Sequence, residues 1–250
     1  MINKFISFFV LVLFFNISIA QITGEVIYKK RQTKAISELP ENKSLAKENP
    51  KRFRILQLLD NNVKLILENL NFNLSFNKKE SVFQAEDFLE QEKNPYLEPA
   101  LSLGLGVGTF YNNIPENKTI NKMDIIGETF LVHQPEVKWT LTNIEQKIGG
   151  YNCYKAKTEK VIKKHNGDIH KIEIVAWYTP QIPVPFGPVG YGRLPGLIIL
   201  LQYGDYIEFV AKKVDLKAKA DKKLDIPSKG KEITEAELNE KLNKAMQNFN

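Results

Sequence analysis

Few residues of this chain are suited to site chemistry. Its 250 residues include one cysteine, Cys153, and three histidines, His133, His165 and His170. A single thiol excludes a disulfide within the chain, so stability has to come from packing. No two histidines stand at a metal-ligand spacing of the His-x-x-x-His kind. There is no Gly-x-Ser-x-Gly nucleophile elbow. The stretch Leu101–Thr109, LSLGLGVGT, has glycine at alternate positions, but Thr109 stands where a dinucleotide fingerprint needs its third Gly, and no Gly-Lys-Ser/Thr follows. It reads as an irregular loop, and no cofactor is expected. Cys153 and His133 are a conceivable nucleophile and base, yet nothing in the sequence places them together. The preferred reading of Cys153 is a buried structural thiol. The expectation is a protein that is not an enzyme.

One-sided charge is missing too. There are 35 Lys and Arg against 29 Asp and Glu, alternating in sign along most of the chain. That is a solvated surface rather than a nucleic-acid footprint, so no nucleic-acid partner is expected. Long apolar runs are confined to the start. MINKFISFFVLVLFFNISIA has Lys4, an apolar run from Phe5 to Phe15, and small residues Ser18 and Ala20 before Gln21. This is the pattern of a cleavable export signal over residues 1–20. No later segment reaches the roughly 18 consecutive apolar residues of a membrane span. The expected mature chain is therefore exported, to the periplasm or beyond, without a transmembrane segment.

What remains is strand-forming sequence. ITGEVIYKK reads as a first strand. Asn49 and Pro50 suit the cap and first turn of a helix whose buried stripe would be Phe53, Leu56 and Leu59. Phe72, Leu74 and Phe76 alternate, turn through Asn77–Glu80 and return through Val82 and Phe83, a hairpin pattern. From Lys118 onward, breakers at Gly127, Gly149–Gly150, Asn166–Gly167 and Gly204 separate strand-like stretches, with too few helical patterns for parallel βαβ units. Residues 217–230 read as a Lys-rich linker. Residues 231–250 read as an amphipathic helix, with a capping box at Thr234 and Glu237 and an apolar face of Leu238, Leu242, Ala245, Met246 and Phe249.

One hairpin allows a register argument. Around KKHNGD, a two-residue Asn166-Gly167 turn would set Lys155, Lys157 and Glu159 on the face of Tyr178, Ala176 and Ile174. A three-residue His165-Asn166-Gly167 loop sets Tyr154 opposite Tyr178, Ala156 opposite Ala176 and Thr158 opposite Ile174. A one-residue slip swaps the faces, so the apolar pattern selects the second register. It places Glu159 opposite Glu173, a modest like-charge cost. The other face is polar near the turn and apolar at the far end, where Val175, Trp177, Cys153 and Tyr151 need a cover.

Out of that end runs IPVPFGPVGYGRLPGLIIL. Eight of the fourteen positions from Pro183 to Gly196 are Pro or Gly, in a chain with 14 Gly and 12 Pro. Three segments resemble one known family. KWTLTNIEQKIGGYNCYKAKTE (Lys138–Glu159) is similar to its Trp-Lys-Leu-Thr strand and Gly-Tyr-x-Cys-x-x-Ala turn. AWYTPQIPVPFGPVGYG (Ala176–Gly192) is similar to its Trp-Tyr-Thr-Pro-x-Ile-Pro-x-x-x-Gly-Pro segment. RLPGLIIL (Arg193–Leu200) is similar to the motif that names it, with Arg193 at the first Gly and Gly192 displaced by one. The chain thus resembles the GLPGLI family, secreted proteins of Bacteroidetes-type bacteria with no established biochemical function. The resemblance is densest from about Trp139 to Val210.

That resemblance supplies no mechanism, so the residues are read physically. Pro180, Pro183 and Pro185 hold the chain extended and withhold ladder donors. Gly187-Pro188, Gly190 and Gly192 permit tight turns. Leu194-Pro195-Gly196-Leu197 predicts a type II turn with Gly196 at positive φ. Leu197, Ile198 and the apolar run after them predict a strand buried on both faces. Together with Trp177 and Tyr178, the segment reads either as a structural plug, folded over Trp177, or as the rim of a binding site. Arg193 is expected to point outward.

The fold expected is mainly β with some α: a curved antiparallel meander, half-barrel-like, spanning residues 21–216, with one helix in the N-terminal half and the helical tail. Three functions stay open: a non-catalytic cell-envelope protein binding an apolar small molecule or an outer-membrane protein, a purely structural envelope accessory, and a hydrolase whose site the sequence does not reveal. Oligomeric state is undetermined.

Overall fold

The computed structural model describes residues 23–86, 94–103, 105–125, 127–163, 168–216 and 224–247. The expected export signal over residues 1–20, the expected His165-Asn166-Gly167 turn, residues 217–223 of the expected linker and Phe249 lie outside the described residues. So do the side chains of Ala245 and Met246.

Strand-forming segments with period-2 burial build one sheet. In β1 (Gly24–Gln32), Val26, Tyr28 and Lys30 are buried and alternate with half-exposed neighbours. β2 (Phe72–Phe76) and β3 (Glu80–Ala85) form the expected hairpin. β4 (Thr109–Asn113), β5 (Lys118–Ile125) and β6 (Glu128–His133) continue that meander. The second half is β7 (Thr140–Ile148), β8 (Tyr151–Lys163), β9 (Ile169–Thr179), β10 (Leu197–Tyr203) and β11 (Ile207–Asp215). β1 sits between the halves, pairing β2 on one side and β11 on the other. With β12 (Lys231–Thr234), the result is a 12-stranded sheet in the order β12-β6-β5-β4-β3-β2-β1-β11-β10-β9-β8-β7. It is antiparallel except where β12 runs parallel to β6, and its ends do not join into a barrel.

The β8–β9 register is the one the apolar pattern selects: Tyr154 faces Tyr178, Ala156 faces Ala176, Thr158 faces Ile174, and Glu159 faces Glu173. The like-charge cost is relieved by Lys171 to Glu159 and Lys157 to Glu173 ion pairs.

Directly opposed residues share a face. Tyr28 opposes Phe72, Leu74 opposes Phe83, and Phe83 opposes Phe110. Lys30 and Leu201 both oppose Phe209. This inner face collects the aromatic core, with Phe72 stacked on Phe83 at 5.8 Å and Phe209 edge-on to both. The sheet curls around it. Laid flat, β12 and β8 would stand about 48 Å apart at ordinary strand spacing. Yet Lys160 of β8 and Glu235, next to β12, form an ion pair at 2.5 Å.

Helices fill part of the concavity. Asn49 caps α2 (Pro50–Asn69) by accepting from the Arg52 N–H, as its sequence predicts. Its buried residues, however, are Asp60, Val63, Ile66 and Leu67, whereas Phe53, Leu56 and Leu59 are only half-buried. The stripe is displaced because the helix meets the sheet with its second half. α1 (Leu45–Glu48) packs beside its start, and α3 (Leu97–Ser102) beside its end. The Lys30 ammonium, 0% exposed, donates to the Ala100 and Leu101 carbonyls at 2.9 and 2.8 Å, capping α3 from within. Favourable charge at a helix C-terminus is its compensation for burial.

The tail departs from its expected form. Residues 231–234 are strand β12 rather than the first turn of the helix, because β6 would otherwise be an unpaired edge. The helix is α4 (Glu235–Gln247). Its capping box forms as expected: Thr234 Oγ1 accepts from Glu237 N–H, and the Glu237 carboxylate accepts from Thr234 N–H. Leu238 is buried against Phe130 and Val132, and Leu224 packs against the Val82, Tyr111, Ile120 and Leu131 cluster, so the described end of the linker is seated on the sheet.

Candidate functional site: a cleft walled by the Pro/Gly segment

Beyond β9 the chain condenses through short turns. Val184 N–H bonds Ile182 O across Pro183, Tyr191 N–H bonds Pro188 O, and Gly196 N–H bonds Leu194 O across Pro195. Each bond spans two or three residues, the pattern of γ- and 3-10 turns that proline's fixed φ favours. Phe186 bridges Gly192, and Arg193 N–H bonds Pro185 O at 2.8 Å, closing a small hairpin with Pro188–Gly190 at its tip. The segment is stitched to the start of β10 by Leu197 N–H to Ile182 O and Ile198 N–H to Phe186 O. Ile182, Val184, Phe186, Val189, Tyr191 and Leu194 are buried. The segment is a plug.

Its position is not the expected one. A Cβ on Gly187 would stand 2.6 Å from the Ile198 side chain, and one on Gly190 would stand 3.1 Å from Phe110. Phe186 lies 6.0 Å from Phe76, ring to ring. Ile198 opposes Tyr178, so the plug occupies the inner face, and its tip packs against β3, β4 and β5. Trp177 points to the other face. It is buried, with the Lys155 ammonium 5.7 Å from its ring centroid. The correction has a simple cause: a concave aromatic face exposes more apolar area than one tryptophan, and the plug covers the larger debt.

Backbone geometry corrects a second expectation. Gly196 does not adopt positive φ, so Leu194–Leu197 is not a type II turn. Glycine is needed there because a Cβ would overlap the Thr179 carbonyl. The left-handed residues are Val189 at φ 49°, Gly190 at 78° and Arg193 at 64°. Arg193 therefore occupies, at the motif's first position, the conformation that glycine tolerates best. The remaining positive-φ non-glycine among the described residues is Asn117, a residue type at home there.

Val189 and Arg193 line the same cavity. A cleft of about 390 Å³ opens beside the plug, with Phe110, Val137, Val161 and Tyr191 as apolar wall and a mixed charged rim in which Lys138, Lys160 and Arg193 stand against Glu136, Glu159 and Glu235. Trp139, in the connector to β7, holds the plug's edge by donating Nε1–H to Gly192 O at 2.8 Å, with its ring 5.9 Å from Tyr191. Burial, with the Glu235 carboxylate nearby, pushes the Tyr191 hydroxyl up, so it stays neutral. Lys160 is paired with Glu235, while the half-buried Arg193 guanidinium has no hydrogen-bond or ion-pair partner among the described residues. Asp205 and Glu208 pair instead with Lys34 and Arg31.

Of the motif residues singled out in the sequence, Gly190, Gly192 and Arg193 line this cleft, and Arg193 alone brings a charged side chain to it. Leu194, Leu197 and Ile198 are core, Pro195 is exposed, and Tyr178 packs beside Tyr154 at 6.1 Å. Pro183, Gly187 and Pro188 shape the plug. Sequence reasoning missed Lys160 and Glu235, which are 75 residues apart, and Val189, whose strain has no sequence signal. Cys153 is buried on β8, and burial pushes its thiol up to about 11. His133 pairs with Glu232. Neither Cys153 nor His133 lines the cleft. Among the described residues no group of three or more His, Cys, Asp or Glu is placed to hold a metal, and no helix is long and apolar enough to cross a membrane.

Fold and cleft together define a protein class: an open, curled, mostly antiparallel sheet with a Pro/Gly plug in its concavity. Residues 163–200, which run from the β8–β9 hairpin into β10, match a family described as "Protein of unknown function (Porph_ging)". Two solved structures are similar to the chain. "Structure of PNGF-II in P21 space group" has 17% identity and a TM-score of 0.50, covering 90% of this chain and 34% of that one. "Structure of PNGF-II in C2 space group" has 17% identity and a TM-score of 0.46, covering 90% and 33%. The chain thus spans about a third of the length of PNGF-II. No curated protein matches it.

Proposed function

We propose that this is an exported, non-catalytic protein of the cell envelope that binds a small amphiphile, its acid group at Arg193 and its apolar body along Phe110, Val137 and Val189. Membership of the GLPGLI family is part of this reading, and it is supported by the family match, which falls on the resembling stretch. One observation carries the ligand reading. The two non-glycine residues held left-handed in the plug, Val189 and Arg193, both line the open cleft. Strain of about 1–3 kcal/mol per residue persists where the surroundings enforce it, and it clusters at binding sites. A cleft of this size suits a small ligand. The non-catalytic reading rests on the buried, unactivated Cys153 and on the pairing of Lys160 with Glu235 and Lys171 with Glu159.

The test is calorimetric titration with decanoate, using decanol as the uncharged control. Decanoate is expected to bind more tightly, and Arg193→Gln is expected to remove that preference. If neither compound binds, or if the preference survives the substitution, the cleft is not an amphiphile site.

A second reading has its own observation. β7 is the outer strand of the sheet, exposed along most of its length, with Leu141 and Ile144 more than half exposed. An uncovered edge strand accepts an extended partner segment by strand addition. An outer-membrane or other envelope protein would dock there, and Ile144→Asp, which sets a charge on the exposed edge, would abolish that docking.

A further inference from the structure

The first half of α2 is a helix end without a core. All four buried residues of this helix come from Asp60 onward. Pro50 to Leu58 nevertheless carries Phe53, Ile55, Leu56 and Leu58, of which Ile55 and Leu58 are 66% and 55% exposed. Spacing of three places Ile55 and Leu58 on one face, and Leu65, 60% exposed, extends it two turns further.

Cations surround this face. From Lys43 to Leu58 there are five basic residues, Lys43, Lys47, Lys51, Arg52 and Arg54, against one acid, Glu48. All five are exposed and none has an ion pair among the described residues. Glu38 shares a cavity wall with Arg54 but is beyond ion-pairing distance. Lysines elsewhere, Lys122, Lys138 and Lys147 among them, also stand without an ion pair among the described residues, so what sets the α2 end apart is the grouping of five such cations around exposed Ile55 and Leu58.

We infer that the α1–α2 end is a docking surface for an anionic lipid bilayer. Ile55 and Leu58 enter the headgroup region while Lys43, Lys47, Lys51, Arg52 and Arg54 meet lipid phosphates. An exposed apolar pair ringed by unpaired cations is the chemistry of an interfacial helix. A parallel pairing with a second copy would instead oppose like charges, and so is disfavoured.

The experiment uses the chain from Gln21, which contains every described element and lacks the apolar Phe5–Phe15 run. It is sedimented with vesicles of phosphatidylcholine alone and of equimolar phosphatidylcholine and phosphatidylglycerol. Binding is expected only to the second kind and should weaken with added salt. Arg52→Gln and Arg54→Gln should each lower the partition coefficient about fivefold, and Ile55→Asp should lower it further. These side chains are exposed, so unchanged melting will show that the fold is intact. Equal binding to both vesicles, or binding indifferent to Ile55→Asp, overturns the inference. So does self-association without vesicle binding, which would make this face a contact between copies.

Discussion

Glu235, the first residue of the tail helix, pairs with Lys160 of β8 at 2.5 Å, across the gap between the two ends of the curled sheet. The same tail is fixed to β6 by β12 and by Lys231 and Lys241 on Glu128. The tail is therefore a strap over the cleft, tied at both sides.

Glu235→Gln should loosen the strap with little global effect. Both side chains are about a quarter exposed, so the pair contributes roughly 0–1 kcal/mol to stability. Hydrogen exchange over residues 235–242 should accelerate while β1 and β10 remain protected. Unchanged exchange in the tail would show that β12 alone holds it.

Two substitutions in the plug should act in opposite directions. Arg193→Gly relieves a left-handed residue, a gain of about 1–2 kcal/mol, partly offset by about 0.5–1 kcal/mol of added chain entropy. The melting temperature should hold or rise slightly while decanoate affinity falls. Gly196→Ala drives a methyl group into the Thr179 carbonyl and should cost about 1–3 kcal/mol or more. Denaturant melts measure both. A stabilised Gly196→Ala would show that the close approach to Thr179 is wrong.

Cys153 should resist modification. It is buried, and burial holds its thiol at about 11, well above the usual thiol range. Labelling by a bulky thiol reagent should therefore be slow in the native state and fast in urea. Rapid native labelling would reopen Cys153 as a nucleophile.

Lys30 should make stability depend on pH. Burial lowers its ammonium from 10.5 to about 7. Between these values the unfolded chain holds a proton that the folded chain has released, so stability rises with pH across the window and is flat below it. At about 1.4 kcal/mol per pKa unit the rise amounts to a few kcal/mol. The urea midpoint should climb from neutral pH towards pH 9, and this part of the climb should be missing in Lys30→Met. The variant also leaves the Ala100 and Leu101 carbonyls without their donor, a loss of about 1–3 kcal/mol at every pH. An identical climb in both proteins would assign it to other groups.

Much of this was legible from pattern alone. The β8–β9 register followed from which residues were apolar at alternate positions, because a one-residue slip would have exposed Ala176 and Ile174. The Asn49 cap and the Thr234–Glu237 box followed from local chemistry acting over three residues. The buried stripe of α2 did not. Phe53, Leu56 and Leu59 are as apolar as Val63 and Ile66, and only the place where the sheet meets the helix decides which are covered.

The cleft shows where the division lies. The amino-acid order determined by itself that residues 183–196 could form neither α-helix nor central strand, since proline withholds donors and glycine weakens regular structure. It likewise determined that the strand from Leu197 would be buried. Tertiary structure decided which face the plug would fill and that Val189 and Arg193 would be held left-handed. It also brought Lys160 to Glu235 across ten strand spacings. The physical reason is range. Turn chemistry and alternation act over a few residues and are written locally, whereas the curl of a twelve-stranded sheet sums small twists from every strand pair and appears in no single segment.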